Sequence, residues 1–200
     1  NGGVTSPRTV VLVEGDSDRA ALEALVRRQG RDLAADRVEV VPMGGITNIR
    51  TFASHFGPRG LGLHLAGLYD APDEARVCRG LAAAGLSRAV DPAALPDLGF
   101  FRCVADLEDE LIRAHGTAGV ERVIDAAGEA RSLRLLTGMP AQQGWTSEAV
   151  LRRFLGSRSG RKARYADLLV TALEPGQEPA PLVAVLEFAR TPATRSAVDG

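Results

Sequence analysis

The sequence predicts an α/β fold, in which a mostly parallel, Rossmann-like sheet is flanked by helices and followed by a helical C-terminal part. Two observations support this prediction. Through the first half of the chain, short apolar runs alternate with segments whose apolar residues recur at helical spacing. That alternation is typical of a parallel sheet covered on both faces. From residue 118 onward, the apolar positions mostly fit helical spacing.

Each predicted strand ends where a turn residue or an acid interrupts an apolar run. The first strand stops at Glu14-Gly15, and Pro42 cuts the second. The four strands are predicted at Thr9–Val13, Arg37–Val41, Leu63–Tyr69 and Phe100–Ala105. The helices after them are predicted at Asp18–Gln29, from Thr47 or Asn48 to about Phe56, at Asp73–Ala84, and at Asp106–His115, ended by Gly116.

The expected domain organisation is one α/β core with a helical extension packed on it. We assign residues 9–116 to the core and residues 117–190 to the extension, with flexible ends at residues 1–8 and 191–200. Within the extension, Leu182–Phe188 is too short for its periodicity to distinguish a strand from a helix, so both remain open.

Composition excludes several classes of protein. Hydrophobic residues make up 45% of the 200, which excludes wholesale disorder, and the net charge of -1 gives no global positive field for nucleic acid. A polyanion must therefore be bound locally. No run of about 18 apolar residues occurs, so we expect no membrane contact and a cytoplasmic location. Cys78 and Cys103 lack partners at metal-ligand spacing and are expected to be reduced thiols.

Acidic residues follow three of the four predicted strands. Ligands of an open parallel sheet lie at the carboxyl ends of its strands, and crowded carboxylates there need a cation among them. Oxygen ligands favour Mg²⁺ or Mn²⁺ over zinc. Each acid also has a structural alternative, as a helix cap or a solvated first turn. The three pairs are Glu14 with Asp18, Asp70 with Asp73, and Asp106 with Glu108.

A cluster of basic residues in the last third is the best candidate for contacts with DNA phosphates. It stands out in a chain of balanced charge, although a solvated cationic helix face is the alternative. Its one lysine, Lys162, is the single lysine among 24 basic residues, which favours a role for a compact ammonium group. The other members are Arg152, Arg153, Arg158, Arg161 and Arg164.

The segment Val13–Asp18, Val-Glu-Gly-Asp-Ser-Asp, resembles the opening motif of Toprim domains, in the form found in the overcoming-lysogenization-defect (OLD) nucleases. Further matches follow in the order of that family, and the resemblance spans about Val10 to Leu173. They are Gly44-Gly45 with Asn48, Leu68-Tyr69-Asp70, Asp106-Leu107-Glu108 and Gly160-Arg161-Lys162.

The resemblance implies a Toprim-like fold and a divalent-metal-dependent DNA endonuclease or nickase. In this sequence, Glu14, Asp70 and Lys162 match the residues that act near the reacting phosphate, Lys162 by steadying the charged transition state. One or two Mg²⁺ or Mn²⁺ ions are implied. The implied metal ligands are Glu14, Asp18, Asp70, Asp73, Asp106 and Glu108.

The sequence departs from the family pattern in two respects. Pro72 occupies the second acid of the Asp-x-Asp motif, so Asp73 must substitute through a shifted turn or that ligand is missing. Nothing here fits the ATPase domain that OLD nucleases carry, and Gly156–Ala163 lacks the spacing of a phosphate loop. The expectation is a stand-alone Toprim domain. Its expected partners are DNA and, in addition, a separately encoded ATPase or helicase; a homodimer is also considered.

Other chemistries find less support. Histidines 55, 64 and 115 lie in different elements, which disfavours zinc binding and a Ser-His-Asp triad. Trp145 is interpreted as core or partner-facing surface, and only nine aromatic residues argue against a base-stacking platform. Two alternatives to the nuclease stay open: a non-catalytic Toprim scaffold that binds DNA or the ATPase partner, and a primase-like phosphotransferase.

Overall fold

The computed structural model describes residues 6–158 and 160–191. Its centre is a sheet of four parallel strands in the order β2-β1-β3-β4. The predicted α/β fold with a parallel sheet is confirmed, and every strand boundary lies within two residues of its predicted position. The strands are β1 (Thr9–Val13), β2 (Val38–Pro42), β3 (His64–Asp70) and β4 (Phe100–Cys103).

Eight α-helices occur in the described chain. The first four alternate with the strands, and the last four follow one another without an intervening strand. They are α1 (Asp16–Arg28), α2 (Ile49–Phe56), α3 (Glu74–Ala83), α4 (Leu107–Ala126), α5 (Ala130–Thr137), α6 (Ser147–Leu155), α7 (Arg161–Thr171) and α8 (Ala180–Arg190).

The sheet has an apolar core on each face, and its central strand β1 is buried at all five positions. In β1, Val10 and Leu12 point to the face covered by α2 and α3, whereas Val11 and Val13 point to the opposite face. The second face is covered by α1, α4, α7 and α8, with α7 packed along α1 and α8 packed across the strands. Helices from the last third of the chain therefore complete the core that the first strand begins.

Two features of the helices bear on the sequence predictions. Gly116 is non-helical, with φ at 70°, so it ends the first helical segment of α4 as predicted, and a second segment continues beyond the kink to Ala126. The Leu182–Phe188 segment, which the sequence left open, lies inside helix α8. The division into residues 9–116 and 117–190 stays a prediction.

The predicted flexible ends lie outside the described residues, except for residues 6–8 and 191. Arg8 is tied down, because its guanidinium donates to the carbonyl of Arg190 at 3.1 Å. Both cysteines are buried as free thiols. Within the ranges that the structure describes, no helix is long and apolar enough to cross a bilayer.

Candidate metal centre

The strand order places three acidic strand ends side by side, because β1, β3 and β4 are neighbours in the sheet. Glu14 follows β1, Asp70 ends β3, and Asp106 lies between β4 and α4. A cavity of about 430 Å³ opens over these ends. It is lined by six of the predicted site residues: Glu14, Asp18, Asp70, Asp106, Glu108 and Lys162.

The tightest group of carboxylates consists of Glu14, Asp70 and Asp73. One oxygen of each lies within 4.8 Å of the others. Two oxygens bound to one Mg²⁺ are separated by at most about 4.2 Å, since each bond is about 2.1 Å long. Small side-chain movements therefore suffice for all three to bind one ion, and three carboxylate oxygens are the donors that Mg²⁺ or Mn²⁺ prefers.

Asp73 belongs to this group because of the turn around Pro72, the residue that stands in place of the second acid of the Asp-x-Asp motif. Strand β3 ends at Asp70 and leads directly into a single 3₁₀ turn, Ala71–Asp73, with proline near its start. The turn places an acid three positions after Asp70, rather than two, beside Asp70 and Glu14. The shifted position of the acid is thus available as a ligand.

Two carboxyl groups of this centre, those of Asp70 and Glu14, have pKa values above their usual range. Burial and, after it, the charges of Asp18 and Glu14 raise the pKa of Asp70 to about 7. Burial and then Asp73 raise the pKa of Glu14 above its usual value, while Lys162 opposes this shift. Negative charge is therefore uncompensated here, which a divalent cation would correct.

Asp18 holds the turn between β1 and α1. Its Oδ2 accepts a hydrogen bond from the backbone N–H of Gly15 at 3.0 Å, which is the structural role that the sequence left open for it. Burial nonetheless raises the pKa of Asp18 to about 6, with Glu108 and Glu14 adding to the effect. The residue lines the cavity but stands outside the group of three.

The later acidic pair, Asp106 and Glu108, forms ion pairs with basic side chains of the same protein. Asp106 caps α4 by accepting from the Asp109 N–H at 2.8 Å, and the guanidinium of Arg152 donates to both of its carboxylate oxygens. Oε1 of Glu108 lies 3.2 Å from Nζ of Lys162. Asp106 and Glu108 were predicted as metal ligands, but the structure does not bring them into the group of Glu14, Asp70 and Asp73.

Lys162 lies at the border of the cavity, with 56% of its side chain exposed. It belongs to the first turn of α7, which Gly160 precedes in a left-handed conformation with φ at 78°. Because α7 packs along α1, the start of α7 comes close to the turn that follows β1. The ammonium group of Lys162 thereby lines the same cavity as Glu14, although the two residues lie 148 positions apart in the sequence.

The contact of Arg161 with a DNA phosphate stays a prediction, and the surroundings of this side chain disfavour it. Arg161 is only 7% exposed, and its guanidinium stacks over the ring of Phe154 with 4.1 Å between the charge centre and the ring centre. It donates to Ser157 Oγ at 2.7 Å and pairs with Glu129. A buried guanidinium with these partners inside the chain fits a structural role better than a contact with DNA.

The other predicted phosphate contacts divide into two groups. Arg152 is bound to Asp106, and Arg164 donates to Glu129 at 2.9 Å, so both have partners within the chain. Arg153 and Arg158 are exposed, and neither forms an ion pair with another described residue. Of the five arginines, these two best fit the expected role.

Glu129 has a structural role that the sequence does not reveal. It accepts from Arg161, Arg164 and the hydroxyl of Tyr165, and so fixes the start of α7 against the end of α4. Nothing in the local pattern marks this residue, because an isolated glutamate in a turn is ordinary surface composition. Its partners lie more than 30 positions away in the chain.

Comparison with known proteins relates this geometry to one family. Residues 7–71 match the family model "Overcoming lysogenization defect protein-like, TOPRIM domain". No curated protein matches the chain.

Solved structures of OLD C-terminal regions share the fold. The C-terminal region of the Burkholderia pseudomallei OLD protein is 22% identical with a TM-score of 0.69, over 92% of this chain and 97% of that one. Two structures of the C-terminal region of the Xanthomonas campestris pv. campestris OLD protein, phased with mercury and with platinum, are 25% and 26% identical. Both have a TM-score of 0.69 over 92% of this chain, and 95% and 92% of theirs. Residues 7–71 are thus similar to the Toprim domain of OLD-like proteins, and the chain as a whole shares the fold of OLD C-terminal regions.

Proposed function

We propose that this protein is a divalent-metal-dependent DNA endonuclease or nickase that hydrolyses phosphodiester bonds. The observation that carries the proposal is the group of Glu14, Asp70 and Asp73, whose oxygens lie within 4.8 Å of one another at the sheet edge. Lys162 borders the cavity that contains Glu14 and Asp70. Anionic metal ligands beside a cation are the combination that phosphoryl transfer requires.

The three carboxylates are assigned to hold Mg²⁺ or Mn²⁺, which when bound polarises the phosphate and activates water. Their uncompensated charge, seen in the raised pKa of Asp70, supports this assignment. A second ion would need the later acids, but Asp106 is bound by Arg152 and Glu108 by Lys162. The geometry therefore favours one ion at the group of three until those ion pairs open.

Lys162 is assigned to the charge that develops on the phosphate. Its side chain is half exposed, and among the described residues its only ion-pair partner is Glu108, so its ammonium group can exchange that carboxylate for a phosphate oxygen. Asp18 acts indirectly by fixing the Gly15 turn, which sets the direction in which Glu14 leaves the strand. DNA is the proposed substrate.

Nicking of supercoiled plasmid in Mg²⁺ or Mn²⁺ tests the proposal. Glu14→Gln and Asp70→Asn should abolish both nicking and metal binding. Lys162→Gln should lose about 100-fold in nicking while it still binds metal. Asp97→Asn, which alters an exposed acid between α3 and β4, is the matched control and should leave both unchanged. Nicking that survives equally in Glu14→Gln would rule out this mechanism.

A non-catalytic scaffold is the second candidate, and one observation favours it. Both oxygens of Asp106 are bound by Arg152, so this position of the site is occupied by the chain itself. Such a scaffold would dock DNA or a separately encoded ATPase or helicase. Calorimetric titration separates the two candidates, because a scaffold should show no Mn²⁺ binding that depends on Glu14. A homodimer remains a further prediction, tested by the mass in solution.

A further inference from the structure

A second groove adjoins the candidate metal centre. Its volume of about 410 Å³ lies in the range of about 300–1,000 Å³ that is typical of small-molecule sites. Asp106, Glu108 and Lys162 line both this groove and the acidic cavity, so the two are continuous. Whatever the groove holds therefore lies next to the proposed reacting phosphate.

The wall of this groove contains Trp145, with 45% of the residue exposed. The sequence suggested core or partner-facing surface for it, but its indole lies beside polar and charged groups. Its backbone is fixed, since the Trp145 N–H donates to the carbonyl of Gln142 at 3.1 Å and the next residue, Thr146, caps α6. The chain thus presents an uncovered aromatic ring from a hydrogen-bonded turn.

The charges of the groove leave one exposed cation unpaired among the residues described. Asp106 is paired with Arg152, and Glu108 with Lys162, so these four charges balance. Arg153 also lines the groove, is exposed, and forms no ion pair within the described part of the chain. The groove therefore combines an aromatic face with a net positive charge.

This combination has the chemistry of a site for one unpaired nucleotide. Bases of any sequence stack on an indole, while arginine attracts the phosphate. We propose that the groove binds a nucleotide of a single-stranded or locally opened DNA segment next to the reacting phosphate, with its base on Trp145 and its phosphate at Arg153. The inference deepens the proposed nuclease function and depends on it for the position of the reacting phosphate.

The single tryptophan of the chain makes the inference directly measurable, because all tryptophan fluorescence comes from Trp145. The probe is a phosphorothioate-linked decathymidine in Mg²⁺, compared with an abasic strand of the same length and linkage. Saturable quenching by decathymidine, with several-fold less by the abasic strand or a blunt duplex of equal length, is expected. Equal quenching by the abasic strand or by the duplex would overturn the inference.

Variants give an independent measurement through the anisotropy of labelled decathymidine. Trp145→Ala should weaken binding by roughly tenfold, whereas Trp145→Phe should retain most of the affinity. Leu135→Ala, which truncates an exposed apolar side chain on α5 outside the groove, is the control and should change nothing. Unchanged affinity of Trp145→Ala would refute the stacking role and leave this tryptophan to a protein partner.

The two proposals fail in different ways. If plasmid is not nicked but decathymidine still quenches Trp145 and the abasic strand does not, the nuclease assignment fails and the nucleotide site stands. If nicking depends on Glu14 and Asp70 but Trp145→Ala binds and nicks as the wild type does, only the nucleotide site fails.

Discussion

The guanidinium group of Arg152 donates hydrogen bonds to both carboxylate oxygens of Asp106, although the two residues lie 46 positions apart. Helix α6 thereby contacts the first turn of α4 at the rim of the candidate metal centre. This cation and a metal ion would compete for the same oxygens. The occupancy of the site by metal is therefore coupled to the position of α6.

Removal of the competing guanidinium should increase metal binding. We expect Arg152→Gln to raise the affinity or stoichiometry for Mn²⁺ in a calorimetric titration, because Asp106 loses its internal partner. Without metal, the variant should lose about 1 kcal/mol of stability, which corresponds to about 2–4 °C in Tm. Arg153→Gln, one position along and exposed, is the control. Weaker Mn²⁺ binding by Arg152→Gln would contradict competition.

Asp73 should prove to be a metal ligand despite its unusual position after Pro72. We expect Asp73→Asn to weaken Mn²⁺ binding by about tenfold or more, since one of three grouped carboxylate charges is lost. Asp97→Asn keeps the same change in net charge at an exposed position and should bind Mn²⁺ as the wild type does. Equal affinities of the two variants would show that the 3₁₀ turn does not deliver a ligand.

Arg161 should contribute to the stability of the fold, whereas Arg153 should contribute to the affinity for DNA. We expect Arg161→Gln to lower the free energy of unfolding by about 3 kcal/mol, because the substitution breaks a buried ion pair with Glu129. Glu129 retains its contacts with Arg164 and Tyr165 in this variant. Urea denaturation measures this loss.

Arg153→Gln should change that free energy by no more than about 0.5 kcal/mol. It should instead reduce the slope of log affinity for DNA against log salt by about 1. A reduced slope in Arg161→Gln, at a salt range where it remains folded, would indicate that the buried guanidinium reaches DNA after all.

The raised pKa of Asp70 predicts a definite dependence of stability on pH. Because the pKa rises from 3.8 to about 7 on folding, this group stabilises the metal-free fold fully below about pH 4. That stabilisation is lost as the pH rises through about 7. In EDTA at pH 8, Asp70→Asn should therefore have a higher Tm than the wild type, and the difference should be smaller at pH 5 and vanish below about pH 4.

Excess Mg²⁺ should reverse this order at pH 8, since the ion stabilises only a chain that can bind it. Differential scanning calorimetry at the two pH values, with and without Mg²⁺, provides the comparison. A wild type that is more stable than Asp70→Asn in EDTA at pH 8 would contradict the raised pKa.

Local patterns in the sequence were sufficient for the strands and for the acids at their ends. Apolar runs broken by Glu14, Pro42 or Asp70 mark the strand limits, and the parallel arrangement then dictates that these ends meet. Leu182–Phe188 could not be assigned because a run of seven residues, six of them apolar, satisfies either periodicity, and packing against the sheet decided for helix α8.

The pairing of charges could not be predicted in the same way. Arg153 and Arg161 look alike in the sequence, as members of one basic cluster. Only the tertiary structure buries Arg161 against Phe154 and Glu129 and leaves Arg153 exposed. Likewise, no local signal brings Arg152 to Asp106, since such contacts depend on how α6 packs beside α4.

Helix α8 has a consequence for biosynthesis. It lies against β1, β3 and β4, and its Leu182, Val185, Leu186 and Ala189 complete the core on that face. A nascent chain emerges from the ribosome with these strands first, so the part of their apolar face that α8 covers stays open until residues near 190 have been translated. Such delayed closure over long sequence separations slows folding and favours aggregation. Production of the protein should therefore benefit from slow translation or from a chaperone that shields the open face.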